Sequence, residues 1–148
     1  MVAITARVAI DWHCRHTWRR ASKNTAWCLL GCAIGDFATI AFFQFTGIPW
    51  PTMAIMVLAI VNGLLTSIAL ETFILSRQMD LGTAFRTAIG MSFISMISME
   101  AMMNAVDWVL TGGAMLTWWV VPLMLAAGFV TPLPYNYWRL KALGKACH

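Results

Sequence analysis

Charge is scarce in this chain of 148 residues. Asp, Glu, Lys and Arg make up 11% of it, where a soluble domain carries about 25%, and hydrophobic residues make up 60%. So few polar groups cannot cover a water-facing surface, and the mean hydropathy of +0.73 agrees. Enzyme signatures are missing as well. There is no phosphate loop, nucleophile elbow, zinc-protease motif or nucleotide fingerprint, so no enzyme class is read. Internal repeats are lacking, and the length allows one domain at most. The four cysteines, Cys14, Cys28, Cys32 and Cys147, are too few and too scattered for a secreted disulfide framework: two lie in or beside an apolar run and two in basic flanks. Residues 1–24 hold no apolar stretch of signal-peptide length and carry Arg7, Arg15, Arg19, Arg20 and Lys23. The first membrane helix is therefore expected to act as its own uncleaved signal.

What the chain does have is long apolar runs. They cover Ala26–Phe45, Met53–Leu75, Ala84–Leu110 and Met115–Tyr135. Each is about 20 residues or longer, enough to cross a hydrocarbon core about 30 Å thick as a helix. Lipid leaves a chain this short no other way to pair its backbone. The punctuation fits: Gly47-Ile48-Pro49-Trp50-Pro51 is a turn with Pro51 placed to open a helix, Asp80-Leu81-Gly82-Thr83 is a polar turn, and Thr111-Gly112-Gly113 ends the third run. Short links make neighbours antiparallel, so the expected fold is all-α, an integral membrane four-helix bundle. Residues 1–25 form a basic N-terminal segment, 26–138 the transmembrane domain and 139–148 a basic tail.

The net charge of +4 does not indicate nucleic acid, because the positive residues flank the apolar runs. Arg15, Arg19, Arg20 and Lys23 precede the first, Arg77 and Arg86 surround the second turn, and Arg139, Lys141 and Lys145 follow the fourth. The other two loops hold no Lys or Arg. All basic segments thus share one side, which the positive-inside rule makes the cytoplasm, with both termini there. Trp50, Trp118 and Trp119 fall at the outer interface, and Trp27, Tyr135, Tyr137 and Trp138 at the inner one, as aromatic belts.

Ionisable groups at mid-membrane cost about 2.5–3.5 kcal/mol each on insertion scales. Asp36, Glu71 and Glu100 therefore require a reason; Asp107 lies nearer the outer interface. Cys28, Cys32 and Asp36 recur at i, i+4, i+8, which aligns two sulfurs and a carboxylate on one face at steps of about 6 Å. Gly31, Gly35 and Thr39 share that side. Thiolates at this spacing suit a soft metal ion, but the spacing alone favours a seam of small residues packing against another helix. An intrahelical disulfide fits the geometry poorly. In the methionine-rich third run, Met96, Glu100, Met103, Asn104 and Asp107 share a face flanked by Met99 and Met102. Methionines in such a helix also serve as plain apolar filler, and Glu100 as a protonated acid bonded to a neighbour. Asp36 and Glu100 have similar depth and are expected to meet, sharing a proton or a cation because bare carboxylates repel. Asn62 lies near mid-depth in the second run. Glu71, six residues before Arg77, reads as snorkelling or a salt bridge to it. Pro132 and Pro134 free carbonyls near the inner end of the fourth run. His13, Cys14 and His16, with Cys147 and His148, form a candidate cytosolic metal hand-off site.

The run Cys28-Leu29-Leu30-Gly31-Cys32-Ala33-Ile34-Gly35-Asp36 resembles the C-x-x-G-C-x-x-G-[D/E] core of the DUF4396 family. Ser98-Met99-Glu100, Asn104 through Asp107 and Pro134 through Trp138 extend the resemblance over residues 24–139. It implies a small bacterial or archaeal membrane protein of unestablished function, with recurrent positions at Cys28, Gly31, Cys32, Gly35, Asp36, Glu100, Asn104, Asp107 and Asn136. Multicopper oxidase-type domains fused or neighbouring to some members imply copper by association only. Three readings follow. The first is binding or transport of copper(I) or another soft cation by Cys28, Cys32, Asp36, Met96, Glu100, Met103 and Asn104. The second is a non-catalytic accessory subunit of a larger membrane complex. The third is a thiol redox protein acting with a quinone, against which the i, i+4 geometry counts. In each case the partners are the bilayer and either further copies or other subunits, with no nucleic acid.

Overall fold

The computed structural model describes residues 11–142 of the chain. The elements are α1 (Arg15–Thr46), α2 (Thr52–Ser76), α3 (Leu81–Thr111), α4 (Val120–Val130) and α5 (Leu133–Ala142), and no strand occurs among the described residues. No proline interrupts Arg15–Thr46, so the helix runs unbroken from the basic flank into the apolar run. Its 32 residues reach about 48 Å, well beyond a hydrocarbon core. The expected boundary at residue 26 is therefore no structural break. Gly47, at φ 65°, closes α1 in the left-handed conformation and donates its N–H to Phe43 O. Pro51 opens α2. At the head of α3 the Asp80 carboxylate accepts from the Thr83 N–H at 3.0 Å and its hydroxyl at 2.8 Å. Gly112, at φ 77°, ends α3 as Gly47 ends α1.

Among the described residues three helices are long and apolar enough to cross a membrane: Arg15–Thr46, Thr52–Ser76 and Ser92–Thr111. The fourth run, expected as one helix over Met115–Tyr135, differs. Residues 115–119 are not helical, α4 has only 11 residues, and the helix breaks at Thr131 and Pro132 before α5 resumes. The cause is chemical: Pro132 and Pro134 have no N–H to bond the carbonyl four residues back, and their rings crowd it. The break is shallow, since Thr131 donates to Ala127 O and Asn136 to Pro132 O.

Small residues bring α1 against α2. A Cβ at Gly31 would lie 2.6 Å from Ser67 Cα, and one at Gly35 only 2.3 Å from Asn62 O, so the backbones touch where glycine allows it. Hydroxyls and amides stitch the seam: Thr66 donates to Gly31 O at 2.6 Å and Asn62 to the Thr39 hydroxyl at 2.8 Å. α3 packs on α2 and α4, and α5 on α1. The segment after α3 runs back along α1. Gln44 and Leu116 exchange two hydrogen bonds at one end, and Asn136 donates to the Thr25 hydroxyl at 2.8 Å near the other. Beyond this point Tyr137, Ala21 and Leu140 make a second small core. Tyr137 stacks on Trp12, lies 4.3 Å from the Trp18 ring and donates its hydroxyl to Asp11 O. It is fully buried, so it is a docking residue rather than a member of the aromatic belt. Trp27, Trp50, Trp118, Trp119 and Trp138 are all exposed.

Candidate functional site

The largest core cluster is built from sulfur. Cys28 and Cys32 of α1, Met96, Met99 and Met103 of α3 and Met124 of α4 supply six of its eight residues, with Ala33 and Val120. All six are buried, and both thiols are free. The sulfur sites on α1 and α3 recur at helical spacing, so each helix presents one stripe and the stripes face one another. Met102, one residue off the stripe, is exposed.

The buried carboxyls border this cluster. Asp36 and Glu100 are wholly buried and Asn104 is 2% exposed. The Asn104 amide donates to Asp36 Oδ1 at 3.1 Å and to the Glu100 carbonyl, also at 3.1 Å, joining α1 to α3 at the site. The Glu100 carboxyl lies against the Cα of Gly63 in α2. A Cβ there would overlap Oε1 at 1.8 Å, so the glycine makes room for the acid. The Cys32 thiol lies within interaction range of Glu100 and Cys28 but without hydrogen-bond geometry to the acid. Four buried oxygens accordingly have no hydrogen-bond partner among the described residues: Asp36 Oδ2, both oxygens of Glu100, and Asn104 Oδ1. Buried polar atoms left unpaired are uncommon and costly; one shared proton would pair two of the four, whereas a bound cation would offer a partner to more of them.

The file of ionisable groups extends both ways. Toward the outer loops, Asp36 lies in the field of Asp107, whose Oδ2 accepts the Met115 N–H at 3.1 Å and whose Oδ1 accepts from Thr111 at 2.9 Å. Toward the basic end, Cys28 meets the Ser67 hydroxyl at 3.6 Å, and Glu71 lies within range of Cys28, Ser92 and Arg139. Arg139 is thus the cation facing Glu71. The expected partner, Arg77, is exposed and sits 5.0 Å from the Phe73 ring centre instead. Neither Glu71 nor Arg139 approaches the other to salt-bridge distance among the described residues.

The structure gathers the sequence-predicted residues in two groups. Asp36 and Asn104 meet directly, and Glu100 lies one turn before Asn104 in the field of Asp36; Cys28, Cys32, Met96 and Met103 line the adjoining sulfur cluster. They do not converge on one point as His, Cys, Asp and Glu ligands: among the described residues no three such side chains could jointly hold a metal ion. A soft ion there would need methionine. The terminal hand-off site gains nothing. His13 is nearly fully exposed and pairs with Asp11 at 3.4 Å, Cys14 is disulfide-bonded, and Cys147 and His148 lie outside the described residues. Sequence reasoning missed Arg139, which comes within range of Glu71 only through the fold.

A family model described as a domain of unknown function, DUF4396, matches residues 17–145. The chain belongs to this family, as its C-x-x-G-C-x-x-G-D run implied. No curated protein and no solved structure is similar to it.

Proposed function

We propose that this member of the DUF4396 family is a multi-pass membrane protein that binds a soft cation of the Cu(I) type in its core and passes it between sulfur and carboxylate ligands. One observation carries the reading: the buried acids Asp36 and Glu100 border a core cluster of Cys28, Cys32 and buried methionines, in a chain where buried charge is costly. Thiolate and thioether groups select Cu(I), and the acids compensate its charge or exchange protons for it. The chain crosses the membrane four times in this reading, with α4 and the start of α5 as the kinked fourth passage, both termini cytoplasmic and the bacterial inner membrane as its site. The two hydrogen-bonded ends of that segment, at Gln44 and Thr25, support the fourth passage.

Metal analysis and a Cu(I) competition titration on purified protein test the function. Cys32→Ser keeps the side-chain volume and replaces a soft ligand by a hard one. It should leave the fold intact and weaken Cu(I) binding at least about tenfold, or about 1.4 kcal/mol. Equal binding by both proteins removes the thiols from the mechanism. No stoichiometric binding by the wild type favours an accessory subunit of a larger complex, in which the polar core serves helix packing alone.

A further inference from the structure

At the basic end the helices leave a half-open cavity of about 170 Å³, lined among others by Asn24, Cys28, Glu71, Ser95, Asn136 and Arg139. Behind its wall two polar atoms are buried and unpartnered: Ser95 Oγ, on a residue 1% exposed, and Arg139 Nη1. The space has room for several waters, and Asn24, Glu71 and Asn136 in its wall are polar partners for them. Cys28, the end of the sulfur file, is part of that wall. Glu71 stands beside that thiol, and Arg139 faces Glu71 without contacting it.

We propose that this cavity is the vestibule through which a hydrated monovalent cation reaches the core from the face bearing the basic segments. Cys28 is the first thiol met and Glu71 the charge that favours a cation at the mouth. Arg139 occupies the position a cation would take opposite Glu71 and holds that place between passages. From Cys28 the next stations, Cys32 and then the Asp36–Glu100 pair, follow at one helical turn each. The inference rests on the cation reading of the core and adds the side of entry and the residues that guard it.

The test uses the full chain with Cys14→Ser and Cys147→Ser, leaving Cys28 and Cys32 as its thiols. Inside-out and right-side-out membrane vesicles are treated with a membrane-impermeant cationic methanethiosulfonate, and intact mass counts the adducts. One adduct is expected from the face bearing the basic segments and none from the other. It should vanish with Cys28→Ser and persist with Cys32→Ser. Filling the cavity with Ser95→Leu or, independently, Ser92→Leu should abolish it in protein whose helical circular dichroism is unchanged. Glu71→Gln should slow the cationic reagent at least about twofold relative to its neutral analogue, through the lost local charge. No adduct from either face in folded protein, an adduct from the opposite face, or labelling indifferent to both leucine variants would overturn the vestibule. Because no metal enters the experiment, one-sided labelling of a protein that fails to bind Cu(I) would leave the vestibule standing and remove the soft cation as its cargo.

Discussion

The Asn104 amide nitrogen donates across the helices to the Asp36 side chain and, within its own helix, to the Glu100 backbone carbonyl. Asn104→Ala would leave Asp36 with neither oxygen paired, a loss of about 1–3 kcal/mol for a buried acceptor. Asp36→Asn in the same background should recover part of it, and thermal unfolding of the double-mutant cycle in detergent would read the coupling; strict additivity would mean the two residues act independently. At the surface, Asp80 gives a residue-scale prediction with a pH sign. The Thr83 N–H and hydroxyl hold its carboxyl below the ordinary value of 3.8. A group depressed in the folded state stabilises above its unfolded value and ceases to do so as pH falls through the folded one. Amide exchange in the first turn of α3, corrected for intrinsic rate, should therefore lose protection below about pH 3.8, and Asp80→Ala should show that fraying at neutral pH. The residue types were informative here because buried charge is rare in lipid. Asp36, Glu100 and Asn104 announced a shared site from depth and helical phase alone. That Arg139 faces Glu71 was not legible, because Arg77 is nearer in sequence and only the return of α5 onto α1 brings Arg139 near.

The helices differ in how much of their packing is written in local pattern. Gly31 and Gly35 signal a close approach by their spacing, and α1 uses both against α2. Gly35→Leu should force the backbones apart, since even a Cβ would meet Asn62 O at 2.3 Å; overpacking of this kind costs about 1–3 kcal/mol. Gly90 is a control on α3, because a Cβ there meets nothing within 4 Å. Gly90→Ala should be neutral or stabilising by up to about 1 kcal/mol through helix propensity. Melting temperatures of the two variants in one detergent would check the contrast, and a comparable loss from both would mean that propensity, not contact, sets the response. Hydropathy could not foresee the subdivision of the fourth run, where apolarity is continuous and the two prolines decide. Nor could it foresee α1 beginning at Arg15. Charged residues suit a helix as well as a flank, and the helix is held at that end by Tyr137 arriving from 120 residues away.

On the scale of the whole molecule the two ends of α1 measure the thickness that the last segment covers. Gln44 pairs with Leu116 and Thr25 with Asn136, a separation of 19 residues along α1. At the helical rise this is about 29 Å, close to the roughly 30 Å of a hydrocarbon core. A chain that stopped at three passages would put Arg139 and Lys141 on the face opposite Arg15, Arg19, Arg20 and Lys23. The segment 116–136 instead returns them beside the start of α1, where Tyr137 docks among Trp12 and Trp18. The loops 47–51 and 112–119 carry no Lys or Arg, so the basic residues among those described gather at one end. The kink at Pro132 is no obstacle, because membrane helices tolerate a proline when neighbours satisfy the freed carbonyls. Reporter fusions at the N-terminus and after residue 148 should therefore both report the cytoplasm, and an insertion at Gly113 the opposite compartment. A C-terminal fusion reporting the opposite compartment would make three passages the full count. It would also place the vestibule's Arg139 on the wrong side of the membrane from Asn24, which lines the same cavity, so the topology and the entry route would fall together.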